Sequence, residues 1–173
     1  MAGRDWLMST ERLHFGVWRE DDTARAWDIW GDPEVTALIG GPFTPHEVAE
    51  LLAREIDNWR TRSIQYWPLF RRDDGGLAGA CGLQPHPAGE RTAELGFQLC
   101  RASWGQGLAT EASRAVISWA RAHGYDTLFA GHHPENHASR RTIIGLGFTY
   151  THDEYYPPTG AMEPAYFLHL GDS

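Results

Sequence analysis

Between Thr10 and Trp18 the chain reads TERLHFGVW, with apolar side chains at Leu13, Phe15 and Val17. A period of two puts those side chains on one face of an extended segment, so this stretch predicts a first strand. The spacing then lengthens: Ala26, Trp27 and Trp30 recur at helical intervals, predicting a short helix from about Asp22 to Trp30 that Gly31 and Pro33 stop. TPHEVAELLAREIDNWRTR carries the plainest helix start. Thr44 is placed as N-cap, Pro45 at the first helical position and Glu47 as the partner in a capping box. Val48, Leu51, Leu52, Ile56 and Trp59 follow on one apolar face.

After this helix the period returns to two. Residues 65–72, 77–83 and 92–100 read as three strands, separated by the turn sequences DDGG and QPHPAGE, which predicts an antiparallel meander. Pro68 has no N–H for a ladder, so an edge or a bulge is expected there. The second half alternates. A helix opening at Leu108 places Ala112, Ala115, Val116, Trp119 and Ala120 on one side. Residues 126–133 then read as a strand, ENHASRRTIIGLGF as a short helix ending at Gly147, and FTYTHDEYY and AYFLHL as the last strands. The order predicts one mixed α/β domain over residues 1–173, its core about 10–170.

Composition narrows the class. The chain is 42% hydrophobic and 22% charged, and no apolar run is long enough to span a bilayer. MAGRDWLMSTERL lacks the apolar centre of a secretory signal, and two cysteines cannot staple 173 residues. Reduced, buried thiols in a cytoplasmic protein are therefore expected. A formal charge of −8 argues against a nucleic-acid surface and mildly favours cationic ligands. Eight tryptophans point to a core or a lined pocket.

One stretch, CRASWGQGLATEA from Cys100, does not reduce to packing alone. Gly105 and Gly107 stand just before a helix, where free backbone N–H groups and the helix dipole can receive an anion. Without Cβ atoms, the two glycines would let a phosphate approach the main chain. Arg101 lies just upstream. Taken alone, most such turns bind nothing, and this one is neither a Walker loop nor a full G-x-G-x-x-G.

TERL at the start, AELGFQL on a strand, WGQGLATEA opening a helix, and PENHAS followed by GLGF occur in this order. In these stretches the chain resembles the GNAT N-acetyltransferase superfamily, and within it the ribosomal-protein N-terminal (Rim-type) branch. The resemblance covers roughly Thr10 to Leu170. It implies a central mixed, mostly antiparallel sheet of about six to seven strands flanked by about four helices. It also implies that the turn holds the pyrophosphate of acetyl-CoA while the preceding strand pairs with the pantetheine arm. The implied cofactor set is Leu99, Cys100, Arg101, Trp104, Gly105, Gln106, Gly107, Leu108, Ala109, Asn136 and Ser139. Two positions depart from the pattern: Ala102 replaces a Gln or Arg, and Gly145 replaces a common lysine.

Acetyl transfer to an amine requires removal of a proton, donors for an oxyanion and a proton for the leaving thiolate. Glu94 is the candidate base or positioning group, against the alternative of a solvent-facing strand glutamate. The oxyanion donor is expected from the backbone N–H of Leu99 or Cys100, where the strand would splay. Asn136 reads equally as an N-cap. The resemblance makes Ser139 the candidate acid, with Tyr155 and Tyr156 as alternatives. Glu111 would repel an anion, so it is expected to turn away and pair structurally. His132, His133 and His137 lack the convergence of a zinc site, and no metal is expected.

The leading expectation is acetyl-CoA-dependent transfer to a primary amine, either a protein N-terminus or a small molecule, by a monomer or homodimer. A non-catalytic acyl-CoA sensor would keep the turn but have no need of Glu94 and Ser139. A nucleotide-binding domain would want a Lys-Ser/Thr sequel that is absent.

Overall fold

The computed structural model describes residues 3–171. The chain opens with β1 (Met8–Ser9) and β2 (Leu13–Phe15), followed by α1 (Thr23–Trp30), α2 (Pro33–Thr36) and α3 (Pro45–Arg62). The meander is β3 (Tyr66–Arg71), β4 (Leu77–Pro85) and β5 (Thr92–Leu99). A single 3-10 turn (Arg101–Ser103) leads into α4 (Leu108–Ala122), and β6 (Thr127–Gly131), α5 (His137–Gly145), β7 (Thr149–Tyr156) and β8 (Ala161–His169) complete the chain.

The strands form one eight-stranded sheet in the order β1-β2-β3-β4-β5-β6-β8-β7. Every neighbouring pair is antiparallel except β5 and β6. A parallel pair needs a crossover, and α4 supplies it. The sheet is one strand larger than the sequence suggests, because the chain doubles back to pair Met8 with Phe15. The additional helix, α2, starts at a residue read as a stop: Pro33 ends α1 and, lacking an N–H, suits the first turn of the next helix. Asp32 caps it by accepting from the Glu34 N–H at 2.9 Å.

Pro68 is not on an edge strand, since β3 lies between β2 and β4. Its carbonyl accepts from the Gly16 N–H at 2.9 Å, so its nitrogen points to the same side, where β2 has already ended. A register shift follows between Leu69 and Phe70. Pro68 thus occupies an open stretch of an interior strand.

The two sheet faces carry two cores. Leu13, Phe15, Trp67, Leu83 and Leu95 pack with Leu108 and Val116 of α4 and Ile143 of α5. On the opposite face, Tyr66 and Ala80 pack with Ile29 and Trp30 of α1 and Val48 and Leu52 of α3. α3 is anchored at its start by the expected reciprocal pair: the Glu47 N–H donates to Thr44 Oγ1 at 3.2 Å, and the Thr44 N–H to Glu47 Oε1 at 3.1 Å. Thr44→Ala removes half of this box and should cost about 1 kcal/mol in urea unfolding, whereas Thr44→Ser should cost little. Equal stability of the alanine variant and the parent would show that the cap carries no weight.

Candidate active site

The parallel ladder between β5 and β6 lasts for three residue pairs, Thr92 with Thr127, Ala93 with Leu128 and Glu94 with Phe129. Beyond Glu94 the strands separate. The Cys100 N–H donates to Ala78 O on the β4 side at 2.9 Å, which fixes the phase of β5. In an antiparallel pair hydrogen-bonded and non-bonded residues alternate, so Leu95, Phe97 and Leu99 turn their N–H and C=O groups away from β4 into the gap. The Trp104 indole N–H reaches the Leu99 carbonyl there at 2.8 Å. Of the two oxyanion donors expected from sequence, Cys100 is already engaged by β4, and Leu99 keeps its N–H on the gap side.

The glycine turn closes one end of this gap. Gly105 and Gly107 have φ values of 72° and 75°, in the left-handed region that favours glycine. A Cβ built on Gly105 would meet nothing within 4 Å, so the space beside the main chain is open. Whereas α3 and α5 are capped by the side chains of Thr44 and Asn136, α4 has Gly107 at its N-cap and no side-chain cap. Its first-turn residues Leu108, Ala109 and Thr110 line the cavity. Backbone donors and the positive end of the helix dipole therefore face open space, which suits a diphosphate.

Residues distant in sequence hold this turn from behind. Arg12 donates to the Gln106 carbonyl at 2.8 Å, and Arg71 to Gln106 Oε1 at 2.8 Å and Ser103 Oγ at 3.2 Å. Glu111 accepts from Thr10 Oγ1, the Arg12 N–H and Arg12 Nε at 2.6–2.9 Å. Burial pushes its carboxyl up, but these donors outweigh burial and hold it below the usual value. Glu111 is paired, as its charge requires. Arg12 belongs to the TERL stretch, but nothing in its local sequence points to a partner 94 residues away.

A continuous cavity of about 960 Å³ runs from the turn through the gap to the face covered by α3. Leu99, Trp104, Gly105, Gln106, Gly107, Leu108, Ala109, Asn136, Ser139 and Glu94 all line it. Cys100 and Arg101 do not. Arg101 instead turns to α2, where it meets Asp32 at 2.7 Å and Glu34 at 3.3 Å, so its charge is spent away from the turn. The Cys100 side chain packs with the α1–α3 core.

Glu94 sits at the apex where the strands part. Burial, then the negative charges of Glu163 and Glu154, push its carboxyl from 4.5 up to about 7, with Arg54 pulling the other way. It has no hydrogen-bond or ion-pair partner among the described residues. Tyr66 from β3 closes over the same spot, and a Cβ on Gly96 would stand 2.4 Å from its hydroxyl. Only a glycine there admits the ring. Across the gap, Asn136 Oδ1 accepts from the Ser139 N–H at 3.1 Å, so the capping role is present and the Ser139 hydroxyl is left without a partner among the described residues. Tyr155 and Tyr156 both line the cavity from its exposed side, Tyr155 being the more open at 62% exposure against 37% for Tyr156. His132 points into the protein, with Nε2 at 3.1 Å from the Tyr166 hydroxyl and Nδ1 at 2.7 Å from the His133 carbonyl. Among the described residues no group of three or more His, Cys, Asp or Glu could hold a metal, and no helix is long and apolar enough to cross a membrane. Tyr66, Glu154 and Glu163 were not singled out from sequence, because only the fold brings their strands to one cavity.

A mixed, mostly antiparallel sheet with an uncapped glycine turn beside its one parallel pair is what the sequence resemblance implies. The family described as "Acetyltransferase (GNAT) domain" matches residues 12–149, and the chain belongs to that family. It is similar to an uncharacterized N-acetyltransferase, p20, of Bacillus licheniformis, at 27% identity over 142 residues and 80% of each chain. Among solved structures it is similar to a GNAT-family acetyltransferase from Bacillus anthracis, with a TM-score of 0.81, 20% identity, and 94% of this chain and 98% of that one covered. A ribosomal alpha-N-protein acetyltransferase, RimL, solved in complex with coenzyme A, superposes with a TM-score of 0.80 at 15% identity, covering 95% and 98%.

The raised carboxyl of Glu94 has a consequence for stability. Between 4.5 and about 7 the native state holds the proton that the unfolded chain has released, so this group's contribution to stability falls as pH rises through that window. Glu94→Gln should therefore be more stable than the parent near neutral pH and above, by an amount of order 2 kcal/mol, with the difference vanishing in acid. Urea unfolding at both ends of the window measures it. A difference that does not change with pH would mean the carboxyl titrates normally.

Proposed function

We propose that this chain is an acetyl-CoA-dependent N-acetyltransferase that moves the acetyl group directly to a primary amine in a ternary complex. The observation that carries this reading is the parting of β5 and β6 between an uncapped helix N-terminus and a partnerless Glu94 with a raised carboxyl. The free amides of Leu108, Ala109 and Thr110 and the open side of Gly105 hold the diphosphate. The gap-facing groups of β5 pair with the pantetheine arm. Bound there, acetyl-CoA supplies an activated acyl carbon and a thiolate leaving group.

Glu94 takes a proton from the incoming ammonium. A carboxyl with its midpoint near neutrality does this far better than an ordinary one. The amine nitrogen bonds to the acyl carbon as the carbon–sulfur bond breaks, and the Leu99 N–H donates to the oxygen that gathers charge. Ser139 gives a proton to the departing sulfur and regains one from the nitrogen as the amide forms, so the amine's second proton passes to the thiol and the hydroxyl is restored. Burial pushes the Cys81 thiol up to about 12 and the Cys100 thiol up to about 11, so neither offers a thiolate for an acyl-enzyme route. Direct attack needs no such nucleophile. The layout of turn and Asn-x-x-Ser helix is the one the Rim-type branch implies, and a reduced cytoplasmic setting suits the free thiols.

The test is release of free coenzyme A thiol from acetyl-CoA when the protein is offered N-terminal peptides, aminoglycosides, polyamines and amino acids. Turnover with an amine is the expected result. Tight coenzyme binding with no turnover across the panel would favour a sensor instead. Gly107→Glu should abolish coenzyme A binding in calorimetry, while Gly107→Ala, which carries the same backbone strain without the charge, should retain part of it; unchanged affinity in the glutamate variant would remove the cradle. Ser139→Ala should lower kcat by about 10² while leaving coenzyme affinity intact, and an unaltered rate would take the serine out of the mechanism.

A further inference from the structure

The far end of the cavity has a charge pattern that proton abstraction alone does not require. Glu154 on β7 and Glu163 on β8 are direct cross-strand partners. Such partners have Cβ atoms about 5 Å apart, and like charges in that position destabilise a sheet. Both side chains line the cavity that Glu94 enters. The ladder pairs Glu94 with Phe129, Phe129 with Phe167 and Glu154 with Glu163, and partners across a ladder share a face. Glu163 lies four residues from Phe167 on β8, so the strand period of two returns all three carboxylates to the face covered by α3.

This group has few close cations to offset it among the described residues. Among the described residues, neither Glu94 nor Glu163 has a cation within ion-pair distance, and Glu154 meets only His152 at 2.8 Å. Thr159 Oγ1 touches Glu163 at 3.3 Å, and His133 stands further off on the same wall. Arg54 on α3 is the cation of that wall, and it forms no ion pair among the described residues. Glu55 also lines this end but is engaged, accepting from the Tyr66 N–H at 2.6 Å and Gln84 Nε2 at 2.9 Å, and aromatic rings complete it: Tyr66, Tyr156 and Phe129, with the His86 ring tilted against Phe129 at 4.8 Å. Carboxylates set among aromatic faces make a surface for ammonium groups, which draw on both charge and ring quadrupole.

We propose that the acceptor is a short aliphatic diamine or oligoamine, whose second ammonium is held between Glu154 and Glu163 while its first is delivered to Glu94. This rests on the acetyltransferase reading for its chemistry, but the binding it requires does not. A monoamine satisfies Glu94 and leaves the cross-strand pair repelling. A diamine of a few methylenes satisfies both, and its stem lies against the rings.

Two measurements separate this proposal from the one beneath it. Calorimetry of diaminobutane and of butylamine, each with the protein saturated in coenzyme A and each with the protein alone, reads acceptor binding without chemistry. The diamine should bind about tenfold more tightly, and the advantage should shrink with added salt. Glu163→Gln and Glu154→Gln should each erase most of that advantage, while Asp57→Asn, an exposed α3 carboxylate outside the cavity, should leave it intact. The thiol-release assay should show the same preference, carried by KM. Equal binding of the two amines, or a preference untouched by both glutamine variants, overturns the diamine assignment even if monoamines are acetylated. A diamine preference in binding with no thiol release from any acceptor upholds this site and overturns the transferase.

Discussion

The three-residue limit of the β5–β6 ladder is the constraint on which the site depends. Had the two strands stayed paired to Leu99, their inward amides would have satisfied one another and the sheet would have closed. Because pairing stops at Glu94, β5 keeps a row of main-chain groups with no strand to receive them. Such groups are costly to leave unmet, and a ligand that meets them gains what the missing strand would have gained. The crossover that joins the two strands runs through α4, and the same helix brings its own open N-terminus to the mouth of the gap. One topological choice thus supplies both the slot and the anion site.

Electrostatics then divides the cavity. At the turn, donors face outward and the nearest carboxylate, Glu111, is held away by Arg12 and Thr10. At the opposite end, carboxylates accumulate with little to offset them, and burial together with mutual repulsion lifts Glu94 toward neutrality. An anionic ligand and a cationic one are each drawn to their own end. The cost falls on the fold: a desolvated, partnerless glutamate and a like-charged cross-strand pair are both destabilising in the empty protein.

The legible part of this structure was its local part. The alternation at Leu13 to Val17, the capping box at Thr44 and the glycine turn before Leu108 each declare themselves within a few residues, and each element stands where its pattern implies. The two-residue strand at Met8 and the one-turn helix at Pro33 are too short for any period to show. Arg101 carried a plausible charge beside the turn, yet two acidic residues on α2 claim it, and no local signal announces them. The acidic end was hidden for the opposite reason. β7 is exposed along its whole length as an edge strand, so its sequence has no apolar alternation, and only the ladder with β8 shows that Glu154 and Glu163 meet.

The stitch that joins Thr10 and Arg12 to Glu111 and Gln106 ties together stretches about a hundred residues apart. Contacts of such sequence separation are non-local, and their closure entropy is met before they reward the fold. The amino-terminal arm thus braces the anion cradle from behind. Coenzyme affinity would then report completion of the tertiary fold, and a nascent chain that lacks the arm's docking would hold the ligand more weakly.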